Sequence, residues 1–308
     1  MALNKTLRPG LIQMRVLDLD QTLDFYTNIL GLNEVGRTED GRVMLKGYDE
    51  FDHHSVTLRL ADEAGLDYVA FKVDSPETLE SLKDATEAFG YPVEEVPANT
   101  NQPGFGKRYG FTICTGHRIE LYADVEKAAQ VPMTHNPHPW VDAPRGMRAQ
   151  RFDHCLLYGP NIAEAEKYFT EILGMFAPEV CNTPEGNRFA TWLTSGNKAH
   201  DIAFVEYEKP GKIHHLAFLL QDWNDIGNAA DFIGRYSLKR DVGPTRHAIT
   251  WGQTIYFWEP SGNRIETYCG GYTAYPDNPV RVWDVSEVGK GLFYYEGELI
   301  PSFLQVVT

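Results

Sequence analysis

The sequence has 308 residues, enough for two domains of ordinary size that each bury a core. Its 43% hydrophobic and 23% charged residues are typical of a soluble globular protein, and it contains no apolar run of about eighteen residues, the length that a membrane helix needs. The formal net charge of −15, without a local cluster of Lys or Arg, would repel phosphate backbones, so we expect no nucleic acid partner.

The cysteines and the N-terminus favour a cytoplasmic protein with no membrane partner. Four cysteines, Cys114, Cys155, Cys181 and Cys269, stand far apart without CxxC spacing, which predicts neither a zinc finger nor a disulfide framework. The opening residues, MALNKTLRPG, have no apolar run, so no secretory signal is expected.

In chain order, the first predicted elements are a strand at Leu11–Leu17 and an amphipathic helix at Gln21–Leu30, with Gly31 at the C-cap position. Short β-rich segments separated by turn signals follow. A second helix at about 75–89 precedes the last strands of this half.

The second half of the chain repeats this order of elements. It begins with a strand at Arg151–Tyr158 and a helix at Ile162–Leu173 that ends before Gly174, and it has a later helix at about 222–235. Three pairs of segments match in sequence: DFYTNILGL (24–32) with KYFTEILGM (167–175), DYVAFKV (67–73) with HHLAFLL (214–220), and GHRIELY (116–122) with GNRIETY (262–268). Their offsets of 143, 147 and 146 residues are nearly equal, which indicates a duplicated domain.

We therefore predict an α+β protein of two tandem domains. Each would consist of two βαβββ modules that form a partly closed barrel around a cavity. The predicted domains are residues 1–130 and 149–308, because residues 125–148 concentrate Pro, Asn, Asp and Gly. The tail from about residue 272 lies beyond the repeat, and we expect it to cover or line part of the fold.

Residues suited to metal binding occur at matched strand positions of the second half only. His154 stands where alignment of the halves gives Gln13, and His214 and His215 stand where the first half has Asp67 and Tyr68. On a third strand, a Glu occupies the matched position of both halves, at residues 120 and 266. Two imidazoles and one carboxylate with open positions form the facial triad of non-haem Fe(II) oxygenases. The second half alone is therefore the predicted metal-binding domain.

Residue spacing leaves alternatives open. His214 and His215 face opposite sides of a regular strand, so only one would enter a barrel, and the apolar residues that follow do not choose between them. Each residue alone also has a structural interpretation, a hydrogen-bonded strand histidine or a solvated Glu266. Spacing by itself does not identify the metal as iron.

A longer motif covers residues 245–266, TRHAITWGQTIYFWEPSGNRIE. This stretch resembles the signature of extradiol dioxygenases along its whole length. Similarity to the catechol 2,3-dioxygenases, members of the vicinal oxygen chelate superfamily, extends along nearly the whole chain and includes the segments RPGLIQMRVLD, RFDHCLLYG, KAHDIAF, GKIHHLAF and YCGGY.

The resemblance implies extradiol (meta) cleavage of catechol or simple substituted catechols by O₂ to 2-hydroxymuconic semialdehydes, in aromatic hydrocarbon degradation. It implies Fe(II) held by His154, His215 and Glu266, although a manganese-dependent enzyme would have the same ligands. It also implies a homotetramer.

The resemblance further implies acid–base roles for His200 and His247 and a substrate-contacting Tyr256. His200 also has a structural interpretation, because His54 occupies the matched position of the first half. Four further residues match substrate-pocket positions of the family: Trp192, Ile249, Leu292 and Phe303. The bulk of the first two favours a single-ring catechol. The remaining histidines are interpreted as surface or linker residues: His53, His117, His135 and His138.

Two other functions use the same type of module. Glyoxalases and epimerases bind zinc, nickel or cobalt, and antibiotic-sequestering proteins bind ligands without catalysis. The motif at 245–266 together with His200 argues against the first, and the metal-ligand pattern argues against the second.

Overall fold

The computed structural model describes residues 6–129, 136 and 144–308. The first half contains strands β1 (Thr6–Val16), β2 (Asn33–Arg37), β3 (Val43–Lys46), β4 (Val56–Leu60), β5 (Gly65–Val73), β6 (Glu94–Val96), β7 (Arg108–Thr112) and β8 (Arg118–Tyr122). The second half contains β9 (Arg151–Gly159), β10 (Phe176–Asn182), β11 (Arg188–Thr194), β12 (Ile202–Glu206), β13 (Lys212–Leu219), β14 (Arg240–Arg246), β15 (Gly252–Trp258), β16 (Arg264–Gly270) and β17 (Arg281–Asp284). The helices are α1 (Leu19–Asp24), α2 (Pro76–Phe89), α3 (Ile162–Glu171), α4 (Trp223–Arg235), α5 (Val288–Leu292) and α6 (Pro301–Gln305).

Each half forms one sheet built from two βαβββ modules, as predicted. The strand orders are β2-β3-β4-β1-β5-β8-β7-β6 and β14-β15-β16-β13-β9-β12-β11-β10-β17. The first strands of the two modules pair antiparallel at the centre of each sheet, β1 with β5 and β9 with β13. Within the described residues both sheets remain open, and β17 from the tail extends the second sheet by parallel pairing with β10.

The first predicted helix is a composite. Helix α1 begins after Asp18, whose side chain accepts a hydrogen bond from the backbone N–H of Gln21, and it continues into a π-helical turn at Phe25–Leu30. Gly31 ends the turn with φ of 100°, and a Cβ atom there would lie 2.2 Å from the carbonyl oxygen of Arg145. A glycine is therefore required both by the backbone conformation and by the close approach of the backbone at Arg145.

The two halves share one apolar core, which differs from the expectation of a separate core for each. Helix α3 presents Tyr168 to Phe89 and Phe111 of the first half. Conversely, the π-helical turn presents Tyr26 to Phe218 in the second sheet. Because the first helix of each half packs against the other half, the buried apolar residues form one continuous cluster.

Most of the predicted linker at 125–148 lies outside the described residues, as do His135 and His138. In the part of the chain that is described, no helix is long and apolar enough to cross a membrane.

Candidate active site

Three neighbouring central strands bring His154, His215 and Glu266 together. The strands are β9, β13 and β16, and Ala217 on the middle strand pairs with both His154 and Glu266. The small side chain of Ala217 leaves room between its two neighbours for a third functional group. One ligand atom from each of His154, His215 and Glu266 lies within 4.8 Å of the others, and all three residues are buried.

A β-bulge in β13 turns both His214 and His215 away from the shared apolar core, so the expectation that they face opposite sides is wrong, although of the two only His215 lines the cavity, as expected. The pairing register shifts between Ile213 and His215, and both Ile213 and Leu216 point into the shared apolar core. The Nδ1 atoms of the two histidines are 2.7 Å apart, but Nε2 of His214 hydrogen-bonds to the carbonyl oxygen of Phe303 at 2.5 Å. His214 is thereby directed to the tail, and His215 points to Glu266.

The three side chains suit a divalent cation. Oε2 of Glu266 is 3.0 Å from Nε2 of His154 and 3.1 Å from Nε2 of His215. Nε2 of His215 is buried and makes no hydrogen bond within the described residues, which leaves a lone pair in the centre of the site. Nitrogen and carboxylate donors of this kind bind Fe(II), Mn(II) or Zn(II).

Electrostatics match this geometry. Burial lowers the pKa of His215 to about 4, so its imidazole is neutral at pH 7, the form that binds metals. Burial alone would raise the pKa of Glu266, but its electrostatic interactions with His215 and His154 outweigh burial and hold that pKa well below its usual range. The site thus holds an ionised carboxylate and an available imidazole.

Asp153 supports His154 from behind the site. Its Oδ2 atom accepts hydrogen bonds from Nδ1 of His154 at 3.0 Å, from the hydroxyl of Tyr268 at 2.6 Å and from Nζ of Lys198 at 2.8 Å. Because a carboxylate only accepts, Nδ1 carries a proton and Nε2 faces Glu266. Sequence reasoning did not identify these three supporting residues, although each is within three residues of a predicted site residue.

The predicted acid–base residues lie around the same centre. The ring centroid of His200 is 4.1 Å from that of His154. The hydroxyl of Tyr256 is 2.9 Å from Nε2 of His247, whose Nδ1 donates to the carbonyl oxygen of Leu292. Burial holds the pKa of His200 well below its usual value, with further lowering by the nearby His154 charge, and burial also lowers the pKa of His247. Both are neutral imidazoles at pH 7.

One cavity joins these groups to an apolar wall. All four predicted pocket residues line it, namely Trp192, Ile249, Leu292 and Phe303. Sequence reasoning missed other lining residues: Leu156, Tyr158, Phe189, Ala190, Val205, Thr250, Val288 and Leu304. The tail supplies part of this wall through helices α5 and α6, as expected from its position beyond the repeat. Among the described residues, no Lys or Arg lines the cavity.

The register of the first sheet corrects one predicted correspondence. Ala70 pairs with Leu11 in the way that Ala217 pairs with His154. The counterpart of His154 is therefore Leu11 rather than Gln13, two positions away on the same face.

The first half keeps the carboxylate of the site but fills the space around it. Nε of Arg108 donates to Oε2 of Glu120 at 2.8 Å, and both side chains are almost completely buried. Gln102 contacts the hydroxyl of Tyr68 at 2.6 Å and Nε2 of His54 at 2.7 Å. A guanidinium and an amide thus occupy the position that the second half leaves open.

The interpretation of His117 as a surface or linker residue is wrong. Its side chain is buried, with Nδ1 2.8 Å from the hydroxyl of Thr115 and Nε2 2.9 Å from the carbonyl oxygen of Lys212. Since Lys212 belongs to the second half, His117 is part of the contact between the halves. His53 is half-buried beside His54.

Comparisons with known proteins agree with this architecture. The family model of the catechol 2,3-dioxygenase-like N-terminal domain matches residues 66–126, and that of the glyoxalase/bleomycin resistance protein/dioxygenase superfamily matches residues 151–267. A metapyrocatechase of Pseudomonas sp. (strain CF600) is 43% identical over 98% of both chains. A manganese-dependent 2,3-dihydroxybiphenyl 1,2-dioxygenase of Geobacillus genomosp. 3 is 28% identical over 95% of both chains.

Solved structures show the same fold. The crystal structure of the 2,3-dioxygenase LapB from Pseudomonas sp. KL28 matches with a TM-score of 0.90 and 44% identity, covering 92% of this chain and 99% of that one. Homoprotocatechuate 2,3-dioxygenase from Brevibacterium fuscum, solved with 3,4-dihydroxyphenylacetate, matches in fold with a TM-score of 0.88 and 24% identity, covering 99% and 93%.

Proposed function

Because this chain belongs to the metapyrocatechase (catechol 2,3-dioxygenase) family of extradiol dioxygenases, we propose that its second half carries out the family's meta ring cleavage at the site of His154, His215 and Glu266. The substrates are catechol or simple substituted catechols and O₂, and the products are 2-hydroxymuconic semialdehydes formed in the degradation of aromatic hydrocarbons. The convergence of two imidazoles and one carboxylate at one end of an apolar cavity carries this proposal.

The family's reaction requires a metal ion, and we propose Fe(II) at this site. When bound, the metal would supply the open coordination positions and the electron density that O₂ chemistry requires. The buried, unpaired Nε2 of His215 and the ionised Glu266 fit such an ion. The manganese dependence of one relative makes Mn(II) the alternative to be tested.

We propose that Tyr256 and His247 orient the catechol. Because Nδ1 of neutral His247 donates to a carbonyl oxygen, its Nε2 accepts the hydrogen bond from the Tyr256 hydroxyl, whose oxygen can in turn accept a hydrogen bond from a catechol O–H. This arrangement fixes the ring and receives a proton as the substrate binds.

We propose that His200 acts on the side of the site next to His154. Its neutral imidazole can donate a hydrogen bond to charge that develops on oxygen and then deliver a proton, which assists cleavage of the O–O bond.

The cavity wall favours neutral substituents on the ring. Apolar side chains such as Trp192, Ile249 and Phe303 form the wall, and no cationic residue in the described chain lines the cavity to pair with a carboxylate. A catechol that carries an acidic side chain would therefore lose its hydration without receiving a partner.

Two properties of the protein are also part of the proposal. We infer a homotetramer, consistent with large apolar side chains left exposed on the single chain, among them Val282, Tyr294 and Tyr295. A cytoplasmic location is supported by four cysteines that are all free thiols. Sedimentation analysis would test the first, and localisation of a tagged chain would test the second.

The decisive experiment is anaerobic reconstitution with Fe(II), followed by addition of catechol and air while the visible spectrum is recorded. We expect a yellow ring-fission product, and loss of both the product and the iron in His215→Ala. His214→Gln is the matched control, because its amide can still donate to the Phe303 carbonyl oxygen, and it should retain the metal. A colourless intradiol product, or an inactive protein with stoichiometric zinc or nickel, would refute the proposal.

A further inference from the structure

A buried carboxylate lies outside the cavity and connects the two segments, a hairpin and the tail, that each contribute residues to its wall. Glu179, on β10, is fully buried and does not line the cavity. Its Oε1 accepts from the indole N–H of Trp283 at 2.6 Å, and its Oε2 accepts from the backbone N–H of Thr250 and the hydroxyl of Tyr272, both at 2.9 Å. Glu179 also pairs across strands with Trp192, a residue of the cavity wall.

The segment held at Thr250 is the hairpin between β14 and β15, residues 247–251. It carries His247 and Ile249, which both line the cavity. Thr250 and Trp251 have φ values of 63° and 58°, a left-handed conformation that is costly for residues other than glycine. Such a turn persists only when surrounding groups stabilise it. Glu179 provides one such contact, because it accepts a hydrogen bond from the backbone N–H of Thr250, the first residue with positive φ.

The other two donors belong to the tail. Tyr272 lies at the start of the tail and Trp283 lies in β17, while Arg281 places its guanidinium 3.7 Å from the ring centroid of Tyr272 and 4.6 Å from that of Trp251. The tail also contacts the hairpin directly, since the carbonyl oxygen of Gly291 accepts backbone hydrogen bonds from residues 248 and 249. The hairpin and the tail are therefore fixed to each other and to one carboxylate.

We propose that Glu179 is a positioning residue that sets substrate affinity and ring-substituent selectivity by fixing the 247–251 hairpin against the tail. This inference rests on the proposed function, because it concerns the same cavity. All three partners are donors, so only an acceptor with no hydrogen of its own satisfies them together. An amide at this position would direct an N–H₂ group toward at least one donor, and the strained hairpin would lose part of its support.

The test compares Glu179→Gln with wild type in metal content, KM and kcat for catechol, and the ratio of kcat/KM for 3-methylcatechol and 4-methylcatechol. We expect unchanged metal content, a KM raised about tenfold, a smaller change in kcat and a shifted ratio, because the loss of one charge-assisted hydrogen bond is distributed over a wall segment. Tyr272→Phe and Trp283→Phe each remove one donor, and each should raise KM by a smaller factor than Glu179→Gln. These two variants test the proposal even if Glu179→Gln does not fold.

Glu259→Gln is the matched control. Glu259 is likewise buried and accepts backbone N–H groups, those of Ser261 and Asn263, but at a turn that does not line the cavity. This variant should lose stability and keep KM and the methylcatechol ratio.

The inference is overturned if Glu179→Gln, Tyr272→Phe and Trp283→Phe keep the wild-type KM and ratio, or if Glu259→Gln changes them equally. Wild-type turnover in the same assay separates the two hypotheses. An inactive wild type with bound metal contradicts the proposed function, whereas an active wild type with unaffected variants contradicts only the role of Glu179.

Discussion

Asp153→Asn should weaken metal binding although Asp153 is not one of the three predicted ligands. In the metal-bound site, Nε2 of His154 must offer a lone pair, so its proton must lie on Nδ1, where Asp153 accepts it at 3.0 Å. An asparagine can instead present N–H₂ to Nδ1, which favours the tautomer with its proton on Nε2. The imidazole would then have to change tautomer before it could bind the metal.

The contacts of Asp153 set the size of the effect. Its Oδ2 accepts three charge-assisted hydrogen bonds, and Lys198 keeps a second carboxylate, Asp201, at 3.0 Å when one of them is lost. The lost hydrogen-bond energy therefore affects mainly His154. A lost charge-assisted hydrogen bond costs about 1.5–3 kcal/mol, which corresponds to about 10–100-fold in metal affinity.

Titration of the apoprotein with Fe(II) or Co(II) against a competing chelator would measure this change. Asp52→Asn is the matched control, because Asp52 is also a buried carboxylate with three cationic partners, Arg8, Lys72 and Lys127, but it lies in the first half. Metal binding by Asp153→Asn that is as tight as in wild type, or weakened binding by the same factor in the control, would contradict this role of Asp153.

Three further predictions concern separate groups. His200→Ala should keep its metal and lose about 10²–10⁴-fold in kcat, because a general acid–base group is removed; loss of metal on elemental analysis would place His200 among the ligands instead. Tyr256→Phe should lower kcat/KM for catechol by about tenfold, because it removes the hydroxyl that contacts His247 and keeps the ring; steady-state kinetics equal to wild type would contradict the orienting role. Burial alone would raise the pKa of Asp52, but Arg8 and its two lysine partners outweigh it and leave that pKa below its usual value, so its stabilising effect is present above about pH 4 and is lost as the pH falls through the folded-state value. Urea unfolding of wild type and Asp52→Asn should therefore differ at pH 6 and converge at low pH, and a constant difference would contradict this assignment.

The repeat made the module order predictable from the sequence. Each half contains the same strand and helix signals at nearly one offset, so the β-α-β-β-β order followed without knowledge of the fold. The helix at 76–89 matched its predicted bounds within one residue, because Ser75 and Gly90 mark its ends. Local signals of this kind do not depend on the rest of the chain.

Features that depend on strand pairing were not predictable. The bulge before His215 has no marker in the sequence, and without it alternation places His214 and His215 on opposite sides. The matching of His154 with Gln13 failed for a related reason, since only the pairing register identifies Leu11 as the counterpart.

Contacts between segments that are distant in the chain were also not predictable from the sequence. From the sequence, His117 is interpreted as a surface or linker residue. Its side chain is buried because the second half covers it. The role of Lys198 in holding Asp153 likewise depends on a loop that returns to β9.

The bulge in β13 has a counterpart in β5, where the register shifts between the pairs Gln13–Tyr68 and Met14–Leu66. A backbone irregularity at the same place in both sheets is an inherited trait, older than the divergence of the side chains around it. The ancestor of both halves therefore already possessed the strand geometry that turns two consecutive side chains inward, and it carried a glutamate on the neighbouring strand. The two copies share this geometry and differ in the side chains on it, with imidazoles beside Glu266 in the second half and Arg108 paired with Glu120 in the first.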